Sequence, residues 1–174
     1  MKRTFASLGP EEALQAAICI EERNARIYQR FAEMFIEFRD SDSLEIASVF
    51  WDMAVEEKHH GSLLRGKYQE RYGDSKCSFT EEDLYDFIEV PRLENGDVFA
   101  VIRDNSRTVA RNRALQVALT AEVSAQNFYA DLAERSEDGP LRKLYLELSQ
   151  MEDGHVACLE SKLAPHSVTE NSIN

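Results

Sequence analysis

The stretch Met53-Ala54-Val55-Glu56-Glu57-Lys58-His59-His60 and its echo Gln150-Met151-Glu152-Asp153-Gly154-His155 decide how this chain folds. Each sets a Glu three residues ahead of a His, Glu57 before His60 and Glu152 before His155. On an α-helix, residues i and i+3 share a face about one turn apart, so carboxylate and imidazole reach toward the same point. The chain has 4 His, and about one residue in eight is Glu, so the spacing alone is a weak signal. Position strengthens it. The helical stripe around the first pair reads Ile46, Val49, Met53, Glu57, His60, Leu64, and around the second Leu141, Leu144, Leu148, Glu152, His155, Leu159. Both pairs interrupt apolar stripes, where an ionised side chain is costly unless a cation or counter-charge meets it. Glu56 and His59 also satisfy the spacing, but His59 lines up with Asp52, Val55 and Ser62, a mixed flank, which favours Glu57 and His60. Taken singly, each pair reads as a surface pair on a charged helix. Taken as a matched set, they read as metal ligands.

The rest of the composition sets bounds. A chain of 174 residues suits one domain with a real core, expected over 1–165, followed by a loose polar tail at 166–174. Hydrophobic residues at 43% and charged residues at 30%, with 7 Gly and 4 Pro, fit a helical protein that does not cross a membrane. A formal net charge of −12 argues against a nucleic-acid partner and favours accumulation of cations. The three cysteines, Cys19, Cys77 and Cys158, form no Cys-x-x-Cys and leave an odd thiol, so a thiolate metal knuckle and a disulfide framework are both excluded. With no signal-peptide run after Met1, the expected location is cytoplasmic.

Along the chain, a first helix is expected from Gly9-Pro10-Glu11-Glu12 to about residue 39, with the stripe Leu14, Ile18, Glu21, Ala25, Tyr28, Ala32, Phe35. Asp40-Ser41-Asp42-Ser43 is a turn and cap, and a second helix covers roughly 43–72 before Gly73. Residues 73–107 suit a crossover: Thr80-Glu81-Glu82-Asp83 resembles a capping box opening a short helix that Pro91 ends, Asn95-Gly96-Asp97 is a turn, and a further short helix covers 97–104. Arg103, Arg107 and Arg111 recur every fourth residue, a solvated face or a docking patch. A third helix over about 107–136 carries Leu115, Ala118 and Leu119, Glu122, Ala125 and Gln126, Tyr129, Leu132; a fourth covers about 140–163.

The chain repeats itself. Ala17-Ile18-Cys19-Ile20-Glu21 followed by Tyr28 matches Ala118-Leu119-Thr120-Ala121-Glu122 followed by Tyr129. Each lone Glu precedes a Tyr by two helical turns, and the Glu–His pair follows 36 residues on in one half (21 to 57) and 30 in the other (122 to 152). Two hairpins of one design imply an all-α, antiparallel four-helix bundle with pseudo-twofold symmetry and a polar cluster at mid-core. Each helix contributes an inward Glu and two add a His: Glu21, Glu57, His60, Glu122, Glu152, His155. Four carboxylates and two imidazoles suit two divalent ions, iron or manganese, with zinc also compatible by ligand type.

This set, Ala17-Ile18-x-x-Glu21…Tyr28, Glu57-x-x-His60, Ala118-Leu119-x-x-Glu122…Phe128-Tyr129 and Glu152-x-x-His155, resembles the ferritin-like di-iron carboxylate superfamily, and within it the rubrerythrin-like proteins, over about residues 11–163. The resemblance implies a ferritin-like bundle with two iron ions as cofactor. Glu57 and Glu122 would be bridging or chelating carboxylates, His60 and His155 one imidazole per ion, and Glu21 and Glu152 would complete the coordination. Tyr28 and Tyr129 would donate hydrogen bonds to the ligands or donate electrons, the alternative being buried aromatics with satisfied hydroxyls. It further implies a di-iron oxidoreductase acting on Fe(II) with O2, or on H2O2, in iron and oxidative-stress handling, with an unidentified electron donor and a homodimeric assembly. Two departures bear on this: the extra Glu that peroxidase-type rubrerythrins place one turn after the third-helix Glu is Ala125 here, and the chain has no Cys-rich rubredoxin domain. The alternatives are a di-iron hydroxylase of an organic substrate, toward which Ala25-Arg26-Ile27-Tyr28 points, and a metal-binding bundle without catalysis.

Overall fold

Two Asp residues, each three residues ahead of the backbone N–H it caps, set where the long helices turn back. In the computed structural model, which describes residues 7–74, 79–85, 87, 97–103 and 105–163, α1 (Pro10–Phe38) opens with Pro at its first position and Glu12 accepting from the Gly9 N–H at 3.1 Å. It ends at Arg39, whose φ of 60° breaks the helical path. Asp40 then accepts from the Ser43 N–H at 3.0 Å, so α2 (Ser41–Tyr72) begins two residues earlier than its sequence suggests. The reason is that the Asp40 carboxylate, rather than the whole Asp-Ser-Asp-Ser run, satisfies the free N–H groups of the first turn. Asp138 does the same for α6, accepting from the Leu141 N–H at 2.8 Å.

The crossover contains α3 (Glu81–Leu84) and α4 (Asp97–Arg103); α5 (Arg107–Arg135) and α6 (Gly139–Leu163) form the second hairpin. Thr80 and Asp83 close the expected capping box, the Thr80 N–H donating to Asp83 Oδ2 at 2.7 Å. The expected stop at Pro91, the turn at Asn95-Gly96 and the tail from 166 lie outside the described residues. α1 packs along α2 and α5 along α6, and the six described helices, with no strand among the described residues, form an all-α ferritin-like bundle.

The core is divided into two apolar layers. One holds Leu14, Leu64, Phe128, Leu141 and Leu148; the other holds Phe31, Phe35, Phe50, Leu115 and Leu159. The second is dense in aromatic rings, with Phe31 centred 5.0 Å from Phe50 and 5.1 Å from Phe99 of α4. Each such side chain contributes roughly 1.5–3 kcal/mol by leaving water. On every long helix the polar residues of interest fall between the two layers: Glu21, then Glu57 and His60, then Glu122, then Glu152 and His155.

The hairpins are tied to each other at their turns. Arg107 of α5 reaches Asp40 at 2.7 Å, and Arg71 of α2 reaches Asp138 at 2.8 Å. The arginine series is a solvated face, with Arg103 and Arg107 57% and 60% exposed, whose members are paired within the chain: Arg103 pairs with Glu37 at 3.0 Å, and Arg111 donates to the Lys162 carbonyl at 2.8 Å, closing the end of α6. Exposed pairs of this kind are each worth less than about 1 kcal/mol, so their service is to register rather than stability.

Candidate metal centre

Six side chains from four helices meet between the apolar layers. Glu21, Glu57, Glu122 and Glu152 are each 0% exposed, His60 3% and His155 6%. Glu56 and His59, the other members of the first doublets, lie on the exposed side of α2. The six donors fall into two groups, each with its ligand atoms all within 4.8 Å of one another: Glu21, Glu57, His60 and Glu152, and Glu57, Glu122, Glu152 and His155. Glu57 and Glu152 belong to both. Of the two carboxylates expected to bridge or chelate, Glu57 belongs to both groups and Glu122 to one, with Glu21 in the other. Each of the two Glu-x-x-His carboxylates contacts both imidazoles, Glu57 at 3.8 and 3.2 Å and Glu152 at 3.5 and 3.2 Å from Nδ1 of His60 and His155.

Both imidazoles turn the same nitrogen inward. His60 Nδ1 lies 3.3 Å from Glu21, 3.5 Å from Glu152 and 3.8 Å from Glu57. His155 Nδ1 lies 3.1 Å from Glu122 and 3.2 Å from both Glu57 and Glu152. The tyrosines cross between the halves: the Tyr28 hydroxyl of α1 donates to Glu122 of α5, and the Tyr129 hydroxyl of α5 donates to Glu21 of α1. Each fixes one oxygen of an outer carboxylate and leaves the other directed at the centre.

The electrostatics are those of an acidic cluster removed from water. Burial, reinforced by neighbouring carboxylates, pushes the Glu57 carboxyl well above the usual carboxylate range, and burial does the same to Glu122. Burial opposes charge on His60 as well, but contacts with Glu152 and Glu21 outweigh it and raise the imidazole to about 9. His155 is raised further by Glu122, Glu152 and Glu57 against the same desolvation. Glu152 goes the other way: burial alone would raise it, and its contacts with Glu122, His155 and His60 bring it below its ordinary value. Burial, then the adjoining carboxylates, keeps the Tyr28 and Tyr129 phenols protonated.

Whether metal ions fit here is answered by the polar atoms left over. Glu21 Oε2, both oxygens of Glu57, Glu152 Oε1 and His60 Nδ1 are buried without a hydrogen-bond partner, all directed at one small volume. Leaving so many acceptors unsatisfied in a protein interior costs of order 1–3 kcal/mol each or more. Four carboxylates with two neutral imidazoles carry the charge that two divalent cations balance, so the donor set fits a pair of ions. One turn after Glu122, Ala125 is 1% exposed and belongs to the apolar layer, so no fifth carboxylate enters from α5 at that position.

Residues 12–95 match the protein-family model Rubrerythrin. The match takes in nearly all of the first hairpin. It includes Glu21, Tyr28, Glu57 and His60. Two solved structures share the fold of this rubrerythrin-like chain. One is an uncharacterised conserved protein from Magnetospirillum magnetotacticum MS-1, 21% identical, TM-score 0.66, covering 90% of this chain and 94% of its own. The other is a hypothetical protein from Pyrococcus furiosus, 22% identical, TM-score 0.66, covering 91% of this chain and 90% of its own. No curated protein matches. No described helix is long and apolar enough to cross a membrane.

Sequence reasoning missed one contact at the centre. Glu56 Oε2 lies 2.6 Å from His155 Nε2, a carboxylate of α2 holding an imidazole of α6 from outside. Helical spacing had marked Glu56 only as a competitor of Glu57. Nothing within either helix signals a partner 99 residues away.

Proposed function

We propose that this chain is a non-haem di-iron oxidoreductase that oxidises Fe(II) with O2 or reduces H2O2, serving iron and oxidative-stress handling. The observation that supports it best is the overlap of two buried ligand groups on Glu57 and Glu152. Those two carboxylates would be shared between the two ions, with Glu21 and His60 holding one and Glu122 and His155 the other. The mixture of carboxylate oxygen and imidazole nitrogen suits iron or manganese, with zinc a poorer third. A bound iron pair supplies two electrons, the number needed to take H2O2 and two protons to two waters.

The chain's own residues do the rest. The Tyr28 and Tyr129 hydroxyls lock Glu122 and Glu21 so that each keeps a free oxygen toward the centre. The apolar layers above and below keep bulk water out, which strengthens every charge interaction between them. Buried Ala125 in place of a further Glu favours the ferroxidase form of the reaction over a full peroxidase cycle, and returning electrons would come from a donor outside this chain. The segment containing Arg26 has a structural use, since its guanidinium pairs with Glu81 of the crossover, so it lends no weight to the hydroxylase alternative. A reducing, cytoplasmic setting belongs to the reading, with the Cys19 thiol donating to the Phe79 carbonyl at 3.6 Å. So does a homodimer: Leu44, Trp51 and Val55 stand 48%, 48% and 54% exposed on one helix, an apolar face a second copy would cover.

Stopped-flow spectra of the Fe(II)-loaded protein mixed with O2 or H2O2 test the reaction. Oxidation much faster than that of free Fe(II) in the same buffer is expected; a rate no greater than that would remove it. Glu57→Gln and Glu152→Gln separate catalyst from scaffold, because a scaffold loses stability first and a catalyst loses turnover first.

A further inference from the structure

The two halves of the centre differ at one atom, the outer nitrogen of each imidazole. In the aligned motifs Glu56-Glu57-x-x-His60 and Met151-Glu152-x-x-His155, the residue before the ligand Glu is an acid in one half and a thioether in the other. The acid reaches across the bundle to the opposite His, with Glu56 Oε2 2.6 Å from His155 Nε2. A carboxylate accepts only, so Nε2 carries a proton toward Glu56, and Nδ1, held among Glu57, Glu122 and Glu152, is the nitrogen left to face a cation. A carboxylate behind an imidazole also makes the inner nitrogen a stronger donor. His60 has no such support: its polar contacts among the described residues, with Glu21, Glu57 and Glu152, all run through Nδ1. A methionine sulfur at 151 is too weak an acceptor to play the same part. Glu56 is 59% exposed and its contact with His155 is its one recorded interaction among the described residues, so it does little for the stability of the fold.

Resting on the di-metal reading above, we propose that Glu56 is a positioning residue that makes the two metal positions unequal, so that the position served by His155 takes the first ion. The tie between α2 and α6 keeps one half of the centre organised before any cation arrives. The half around His60 has no such tie behind its imidazole.

Calorimetric titration of the metal-free full chain with Mn(II) tests this. The wild type should bind two ions in two steps separated by about tenfold or more. Glu56→Ala should weaken the tighter step about tenfold and leave the other nearly unchanged, while Glu56→Gln, which keeps an acceptor for Nε2–H, recovers most of the loss. With one equivalent of Mn(II), anomalous diffraction should place the ion beside His155. In ¹⁵N histidine spectra of the protein loaded with diamagnetic Zn(II), the His155 Nε2–H should exchange slowly in the wild type and quickly in Glu56→Ala, a change that a merely structural role would not produce. Two equal steps in the wild type, or equal weakening of both steps in Glu56→Ala, would overturn the proposal while leaving the di-metal reading intact. A wild type that takes up neither Mn(II) nor Fe(II) would overturn that reading and the proposal with it.

Discussion

The hairpin α1–α2 and the hairpin α5–α6 are built to one plan and finished differently. Each supplies a Glu, a Tyr two turns on and a Glu-x-x-His motif; each turn is capped by an Asp that also binds an Arg of the other hairpin. Each Tyr donates to the Glu of the opposite half. The family match ends at residue 95, yet the second hairpin reproduces the ligand geometry of the first. The halves part at the rim, where Glu56 stands opposite His155 and Met151 occupies the corresponding place before Glu152. Gly61 follows His60 where Val156 follows His155, and a Cβ there would lie 3.5 Å from Glu21 Cβ, so α1 and α2 approach closely at the centre. The repeated features assemble a site; the unrepeated ones distinguish its two ends.

The comparison breaks first at the shared carboxylates. Glu57→Gln or Glu152→Gln should weaken both ions, by more than about 100-fold, whereas Glu21→Gln or Glu122→Gln should cost one ion and spare the other. Metal analysis with calorimetry reads the difference. Loss of a single ion from Glu152→Gln would show that the centre is not shared in this way.

The tyrosines come next. Tyr28→Phe and Tyr129→Phe each strip the hydroxyl from one outer carboxylate, and each should destabilise the protein by about 1–3 kcal/mol in chemical denaturation. The repeat predicts similar losses in the two halves. A large effect from one variant alone would show that the halves are not equivalent at this level. Met151→Glu sharpens the contrast from the other side: a carboxylate behind His60 should tighten the weaker Mn(II) step, by up to about tenfold, and narrow the gap between the steps.

The pH dependence is the smallest effect and concerns the whole centre. His60 is raised to about 9 in the folded, metal-free protein, so its contribution to stability is full below pH 6.5 and fades as pH climbs through about 9. Glu57 and Glu122, also raised, act in the same direction. Glu152 is lowered, so its contribution falls away only in acid and is constant across this window. Metal binding needs the ligands deprotonated and grows with pH. The rise in Tm on adding Mn(II) should therefore be larger at pH 9 than at pH 6; a smaller rise at pH 9 would contradict this assignment of protons.

Much of this was legible in the chain before any coordinates. Stripes of period 3.6 identified four long helices, and the repeat of Glu21…Tyr28 in Glu122…Tyr129 placed one Glu of each on the inner face, where all four are buried. What periodicity cannot carry is distance across the bundle. It put Glu122 and Glu152 on inner faces without revealing which of them lies between the two imidazoles, and it could not see that Tyr28 reaches Glu122 or that Glu56 reaches His155. Nor could the regular Arg103, Arg107, Arg111 spacing show that each residue has an acceptor in this same chain. Such contacts depend on how the hairpins dock, which is set by the sum of both apolar layers.

Anomalous diffraction at the iron edge, on crystals loaded with Fe(II) without oxygen, bears most directly on the centre. Two peaks are predicted, one beside His60 and one beside His155, both next to Glu57 and Glu152. A lone peak elsewhere, or no peak while the four carboxylates stay buried, would contradict it.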